Sequence, residues 1–392
     1  MDKVNDKKET TTTTTTTKSN LFSPIQLGPY TLPNRICMAA LTRCRADPKT
    51  GVPNDLHVEY YTQRAIKSAF ILTECTYTSP DTNALSGGPG IHTEEQVAGW
   101  KKVTDSVHKV GGRIILQIWH CGRAGRSSST GVQPVAPSPL PLRFLTGRVD
   151  KYGKEELSIG ETPKELDEEG MKNIIKNFKK GAENALKAGF DGLELHGANG
   201  YLIDEFLRDA TNIRKDKYGG SVENRCRFPL EVIDALAEVF GPDRVGIKVS
   251  PVGRFQDMFD SDPIKTYDYF FKELSKRKIA FVEIMQAPEF VPVSNIYKIE
   301  GEDQIPNVFE AFRKSFSGVL IGNNHMTKEL GNTLIENGLC DMVTYGRLFI
   351  SNPDLVERFE NNWEFNKMNK ETNYSNGAEG YTDYPRYKAI KK

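Results

Sequence analysis

A chain of 392 residues, 38% hydrophobic and 27% charged, has the composition of a globular protein and the length for one large barrel or two to three ordinary domains. Its 52 basic and 52 acidic residues cancel, which excludes the cationic surface expected of a nucleic-acid or anionic-membrane binder. No apolar run approaches the roughly 18 residues that span a bilayer, and the six cysteines (Cys37, Cys44, Cys75, Cys121, Cys226, Cys340) form no C-x-x-C pair, which argues against a zinc or dithiol site and for a cytoplasmic protein with reduced thiols.

Residues 1–20 are polar, with threonine at every position from 10 to 17. Such a segment has little to bury and is expected to be disordered. It has no apolar stretch of the secretory type, and its acids and lack of arginine oppose a transit peptide. The folded part is expected over residues 21–392 as a single domain, since no Pro/Gly/Ser linker divides it.

From residue 21 short apolar runs alternate with helical patterns. The runs are Arg35–Leu41, Ala69–Glu74, Arg113–Trp119, Gly192–His196, Val245–Ser250, Ala280–Met285, Gly318–Gly322 and Asp341–Tyr345. Each is nearly continuous rather than alternating, as in parallel strands buried on both faces. Between them lie amphipathic stripes: Trp100, Val103, Val107 and Val110; then Met171, Ile174, Ile175, Phe178, Ala182, Ala185 and Leu186; then Ile264, Tyr267, Phe271 and Leu274. Glycines at Gly111-Gly112, Gly189 and Gly241 mark helix ends. Eight such units predict a TIM (β/α)8 barrel. Residues 127–165, after the third strand, and 286–308, after the sixth, show little periodicity. Loops of that length are either walls of a binding site or surface decoration.

In a barrel the chemistry sits where strands end. The fourth strand runs into His196-Gly-Ala-Asn199-Gly-Tyr201. His196 and Asn199 could clamp one carbonyl oxygen, and Tyr201 could donate a proton to a carbon carrying developed charge. The same residues could instead be a hydrogen-bonded helix start around a glycine-rich turn. At the seventh and eighth strand ends, Gly322-Asn323 and Gly346-Arg347 offer close backbone approach and a guanidinium, suited to a phosphate. There is no G-x-G-x-x-G after a strand and no P-loop, so a Rossmann dinucleotide domain is not supported.

Long stretches carry a family likeness: Leu21-Phe-Ser-Pro-Ile, Ala40-Leu-Thr-Arg43, Gln117-Ile-Trp-His120, His196-Gly-Ala-Asn-Gly-Tyr-Leu202, Asp216-Lys-Tyr-Gly-Gly-Ser-Val-Glu-Asn-Arg225, Tyr345-Gly-Arg-Leu-Phe-Ile-Ser-Asn-Pro-Asp354 and Gly380-Tyr-Thr-Asp-Tyr-Pro385. From about Leu21 to Tyr387 the chain resembles the Old Yellow Enzyme family, which includes the 12-oxophytodienoate reductases. The resemblance implies FMN on the barrel top, reduced by NADPH or NADH and reoxidised by an enone or enal, in a monomer or homodimer. It implies that Ala40, Leu41, Thr42 and Cys75 line the flavin ring, with Thr42 at its O4. Gln117 and Lys248 would lie at the pyrimidine edge, and Gly322, Asn323, Gly346 and Arg347 at the phosphate. His196 and Asn199 would grip the substrate carbonyl, Tyr201 would be the proton donor, and Trp119 and Tyr374 would border the substrate. Residues 21–33 would form a hairpin under the barrel.

Three positions depart from the family pattern. Lys248 stands where Arg is usual, keeping a charge without the bidentate fork and able to lose its proton on burial. Cys75 stands where Gly or Ala is common, and Asn373 replaces an aromatic residue. Another FMN barrel enzyme and an idle flavin-binding homologue are the competing readings. A dienoyl-CoA-type reductase is opposed by the lack of a cysteine cluster.

Overall fold

All eight apolar runs become strands, and they do so because each is covered on both faces. The computed structural model describes residues 20–149, 155–286, 305 and 307–388. In it the strands are β1 (Ile36–Met38), β2 (Ile71–Leu72), β3 (Ile114–Trp119), β4 (Gly192–Gly197), β5 (Val245–Val249), β6 (Phe281–Met285), β7 (Val319–Asn323) and β8 (Met342–Tyr345). Each pairs in parallel with the next, and β8 pairs with β1, which closes the barrel. Helical crossovers make the pairing parallel: α1 (Asp55–Ala65), α2 (Glu94–Lys109), α3 (Glu168–Lys187), α4 (Val222–Phe240), α5 (Pro263–Lys276), α6 (Val308–Phe312), α7 (Lys328–Glu336) and α8 (Leu355–Asn361).

The strand alternation sorts side chains into two layers. Leu116, Leu195, Ile247, Val282 and Ile284 face outward into the apolar layer shared with the helices. Cys37, Ile115, Phe281, Ile321 and Met342 fill the lower lumen together with Leu27 and Leu32. The last two belong to the antiparallel hairpin Ile25–Leu27/Tyr30–Leu32, which closes the barrel bottom as the resemblance implied. Gly246 makes room for one of these plugs: a Cβ there would lie 2.3 Å from the Phe281 ring.

The helical stripes are buried in their middles and wrong at three ends. Val110 is 41% exposed, Leu186 42% and Ile264 50%. Val110 lies one residue past the end of α2, Leu186 is in the last turn of α3, and Ile264 is in the first turn of α5. A helix covers its neighbour along its middle, so a terminal residue of the right period can still overhang into water.

Residues 127–165 are more regular than expected. They hold a short helix at Ser127–Thr130, a parallel pair Val135–Ala136/Lys164–Glu165, and an antiparallel pair of Arg143–Val149 with Glu155–Ile159. Backbone pairing satisfies the amides of both strands without any apolar alternation to announce it. The loop expected over 286–308 lies mostly outside the described residues, as does the expected tail up to residue 19. No helix among the described residues is long and apolar enough to cross a membrane.

One buried network holds the top of β4 in place. Asp204 accepts from Gly200 N (2.9 Å), Arg208 Nε (2.8 Å) and Tyr267 Oη (3.1 Å). Arg208 also donates to the Ser250 and Gly253 carbonyls. Both side chains of this ion pair are essentially inaccessible. Removing one partner strands a buried charge. Arg208→Met is therefore expected to lower unfolding stability by about 3–5 kcal/mol, read as a fall in the urea midpoint, and the double change Asp204→Leu/Arg208→Met to recover part of it. A single variant as stable as the parent would remove this network from the account.

Candidate active site

The C-terminal ends of the strands open into a cleft of about 800 Å³. Its lining includes Ala40, Leu41, Asn199, Lys248, Asn323, Gly346 and Arg347, seven of the positions singled out from sequence. Gly346 lies against Leu41, whose Cδ2 would be 3.3 Å from a Cβ at that glycine. Arg347 is exposed at the mouth, with Nη2 3.0 Å from His325 Nδ1.

Gly322 turns its side-chain position away from the cleft. It does not line the cleft; a Cβ there would point at Cys340 Sγ (3.1 Å) and Met326 Cε (3.2 Å). The missing side chain serves packing between β7 and the helical layer. The neighbouring Asn323 and Asn324 line the cleft instead.

Beside the cleft, the top of β4 presents an aromatic corner. The His196 and Tyr201 rings lie 5.3 Å apart and those of Trp119 and Tyr201 5.1 Å, the latter edge to face. His196 is buried, yet among the described residues neither ring nitrogen has a hydrogen-bond partner, and Trp119 Nε1 has none either. Burial, helped by the Lys248 charge, lowers the His196 pKa to about 3. The imidazole is therefore neutral across the physiological range and offers one N–H and one lone pair. Burial also pushes the Tyr201 phenol well above its ordinary range, so it keeps its proton.

The turn after β4 sets these groups. Asn199 and Gly200 have φ of +60° and +72°, a conformation asparagine and glycine tolerate. The Asn199 N–H donates to Ser250 Oγ at 2.9 Å. A Cβ at Gly200 would come within 2.7 Å of Gln256 Cβ. Tyr374 lies 72% exposed near the C-terminal end of the described chain. The Asn373 carbonyl accepts from Arg43 Nε (3.1 Å) and Arg45 Nη1 (2.9 Å).

Beneath the cleft a polar chain crosses the lumen. Burial pushes the Cys75 thiol up to about 12. Cys75 Sγ donates to Gln117 Oε1 (3.0 Å) and Gln117 Nε2 to Glu194 Oε1 (2.6 Å). On the far side Lys248 Nζ lies 3.1 Å from Glu283 Oε1, which also accepts from Thr344 Oγ1 at 2.9 Å. Asn323 Nδ2 donates to Thr344 Oγ1 at 2.7 Å. Burial opposes the Lys248 charge, but Glu283 and Glu194 outweigh it and raise its pKa. The loss of a proton that burial alone would favour is thus reversed.

Glu194 and Glu283 were missed from sequence. The signal was present: each is an acid in the middle of a continuously apolar run, Gly192-Leu-Glu-Leu-His and Phe281-Val-Glu-Ile-Met. An acid there is almost never buried without a partner.

These residues suit a flavin mononucleotide. The cleft has walls at Ala40 and Leu41, a cation at Lys248 and a second cation at Arg347, and beside it stand His196 and Trp119, whose ring nitrogens have no hydrogen-bond partner among the described residues. A sequence model of the NADH:flavin oxidoreductase / NADH oxidase family matches residues 20–366. The chain belongs to that family. It is 39% identical over 366 residues to 12-oxophytodienoate reductase 1 of Oryza sativa subsp. japonica, covering 93% of this chain and 92% of that protein. An old yellow enzyme homologue from Zymomonas mobilis superposes with a TM-score of 0.85 at 37% identity, over 93% of this chain and 99% of that one. Morphinone reductase in complex with tetrahydroNAD superposes with a TM-score of 0.83 at 38% identity, over 95% and 99%. This Old Yellow Enzyme family member is an oxidoreductase that uses FMN, with a reduced nicotinamide as electron donor.

Proposed function

We propose that the protein is an ene-reductase acting on α,β-unsaturated aldehydes and ketones, with residues 21–392 forming one FMN-binding unit. The observation that carries this reading is His196: a buried, neutral imidazole with both nitrogens unpartnered, beside Tyr201 at the rim of the cleft. A polar side chain buried without a partner is costly unless a ligand completes it.

FMN, when bound, would supply the redox chemistry that links a reduced nicotinamide to the substrate double bond. The protein's part is orientation and electrostatics. When FMN is bound, Ala40, Leu41, Thr42 and Cys75 would border the ring, Gln117 and Lys248 would stand at its pyrimidine edge, and Asn323, Gly346 and Arg347, with the backbone at Gly322, would hold the phosphate. His196 and Asn199 donate to the substrate oxygen and draw electrons from the double bond. Tyr201 holds the proton for the α-carbon, and Trp119 fixes the Tyr201 ring. Tyr374 borders the open side of the cleft.

The test uses the purified holoprotein. The expected result is a flavin spectrum, bleached anaerobically by NADPH or NADH and restored by an added enone, with FMN recovered after denaturation. Flavin that bleaches and is not restored by any enone or enal would leave the FMN assignment and sink the ene-reductase reading.

A further inference from the structure

Three ionisable side chains meet inside the barrel on adjacent strands: Glu194 on β4, Lys248 on β5 and Glu283 on β6. Lys248 and Glu283 face each other across the β5–β6 ladder, and both are buried. Glu194 stands opposite Gln117 on the β3–β4 ladder.

Charge balance decides how such a group exists. An ammonium with two carboxylates would leave one uncompensated negative charge in the lumen. The structure offers a way out. Glu194 Oε2 and Glu283 Oε2 are buried with no hydrogen-bond partner among the described residues, and the two carboxyls are near enough for the charge of one to raise the pKa of the other. Burial and the neighbouring Glu283 charge hold Glu194 protonated. One proton between the two acids satisfies both. The cluster is then a Lys248–Glu283 ion pair plus a neutral Glu194, with no net charge. Lys248 reaches the cleft with its charge offset by a carboxylate 3.1 Å away.

We propose that Glu283 is a positioning residue for the flavin. It holds Lys248 Nζ from the lumen side and offsets its charge, and the Lys248–Glu283 pair, backed by Glu194, sets how strongly the site favours reduced over oxidised FMN. This rests on the placement of Lys248 at the flavin's pyrimidine edge. A carboxylate behind the cation weakens the preference for the extra negative charge of reduced flavin. Its removal strengthens it.

The experiment measures the midpoint potential of FMN bound to the holoprotein, by equilibration with reference dyes, in Glu283→Gln, Lys248→Met and the double variant, each made in a Glu194→Gln background so that Glu194 cannot ionise in place of Glu283. Glu283→Gln is expected to raise the relative affinity for reduced FMN at least tenfold, about 30 mV for a two-electron couple. Lys248→Met is expected to lower it. In the Lys248→Met background Glu283→Gln should have little further effect, because a buried Glu283 without its cation takes up a proton. A potential that moves with Lys248→Met and not with Glu283→Gln overturns the inference, even if Glu283→Gln lowers the melting temperature. An equal Glu283→Gln shift in both backgrounds overturns it as well. No response to either variant overturns the placement of Lys248 itself, while a bound flavin spectrum would still stand.

If Glu283→Gln does not fold, the parent protein decides. Its reduced-minus-oxidised infrared spectrum should contain a protonated-carboxyl band that shifts on flavin reduction and vanishes in Glu194→Gln. A spectrum without such a band overturns the arrangement.

Discussion

Replacing both His196 and Asn199 by alanine is expected to reduce the rate of enone reduction by about 10⁴-fold or more, since one donor aimed at a developing oxyanion is typically worth about 10² to 10³. The reason lies in what these side chains lack. Neither His196 nitrogen has a partner among the described residues, so truncation breaks no hydrogen bond there, and the loss falls on the bound substrate. Asn199 is tied through its backbone N–H to Ser250, a contact that alanine keeps, although the +60° φ suits alanine less well. FMN content and the melting temperature should therefore change far less than turnover. Phenolic inhibitors, whose oxygen mimics the enolate, should lose affinity together with their long-wavelength charge-transfer band. Stopped-flow reoxidation of the reduced holoprotein by an enone is the measurement. A double variant that reoxidises within tenfold of the parent would assign the β4 turn to structure alone. Because His196 titrates near 3, the parent's reliance on it should not vary between about pH 5 and 8.

Tyr201→Phe should separate the two half-reactions. Phenylalanine keeps the edge-to-face contact with Trp119 and the packing on His196, so only the hydroxyl is lost. Burial keeps that hydroxyl protonated in the parent, which makes it a proton source. Flavin reduction by NADPH or NADH consumes no proton from Tyr201 and should proceed at nearly the parent rate. Reoxidation by an enone should slow by about 10²- to 10⁴-fold, the usual contribution of a positioned general acid. Nitroalkenes should still accept hydride, because the nitro group holds the charge that an enone must discharge by protonation. Equal slowing of both half-reactions would show that Tyr201 acts by holding the corner in shape.

The barrel was legible in the order of residues because a parallel strand buried on both faces must be apolar almost throughout, and eight such runs stand between amphipathic stripes. The site was legible in part. His196, Asn199 and Tyr201 are close in sequence, and one turn after β4 brings them together. Strand ends in a closed barrel converge, so Leu41, Lys248, Asn323 and Arg347 could be assigned to one cleft without knowing any distance. Tertiary structure decided the rest. Which way a strand residue points depends on the barrel's closure: Gly322 turns toward Cys340 and Met326, and Asn323 turns toward the lumen. Pairing of polar strands does not depend on apolar pattern, so the antiparallel pair Arg143–Val149/Glu155–Ile159 left no trace in it. The charge state of Lys248 could not be read from its own segment. Burial alone would favour loss of its proton, and the residues that keep it, Glu194 and Glu283, lie 54 residues before and 35 after it, on the two strands that flank β5 only once the barrel has formed.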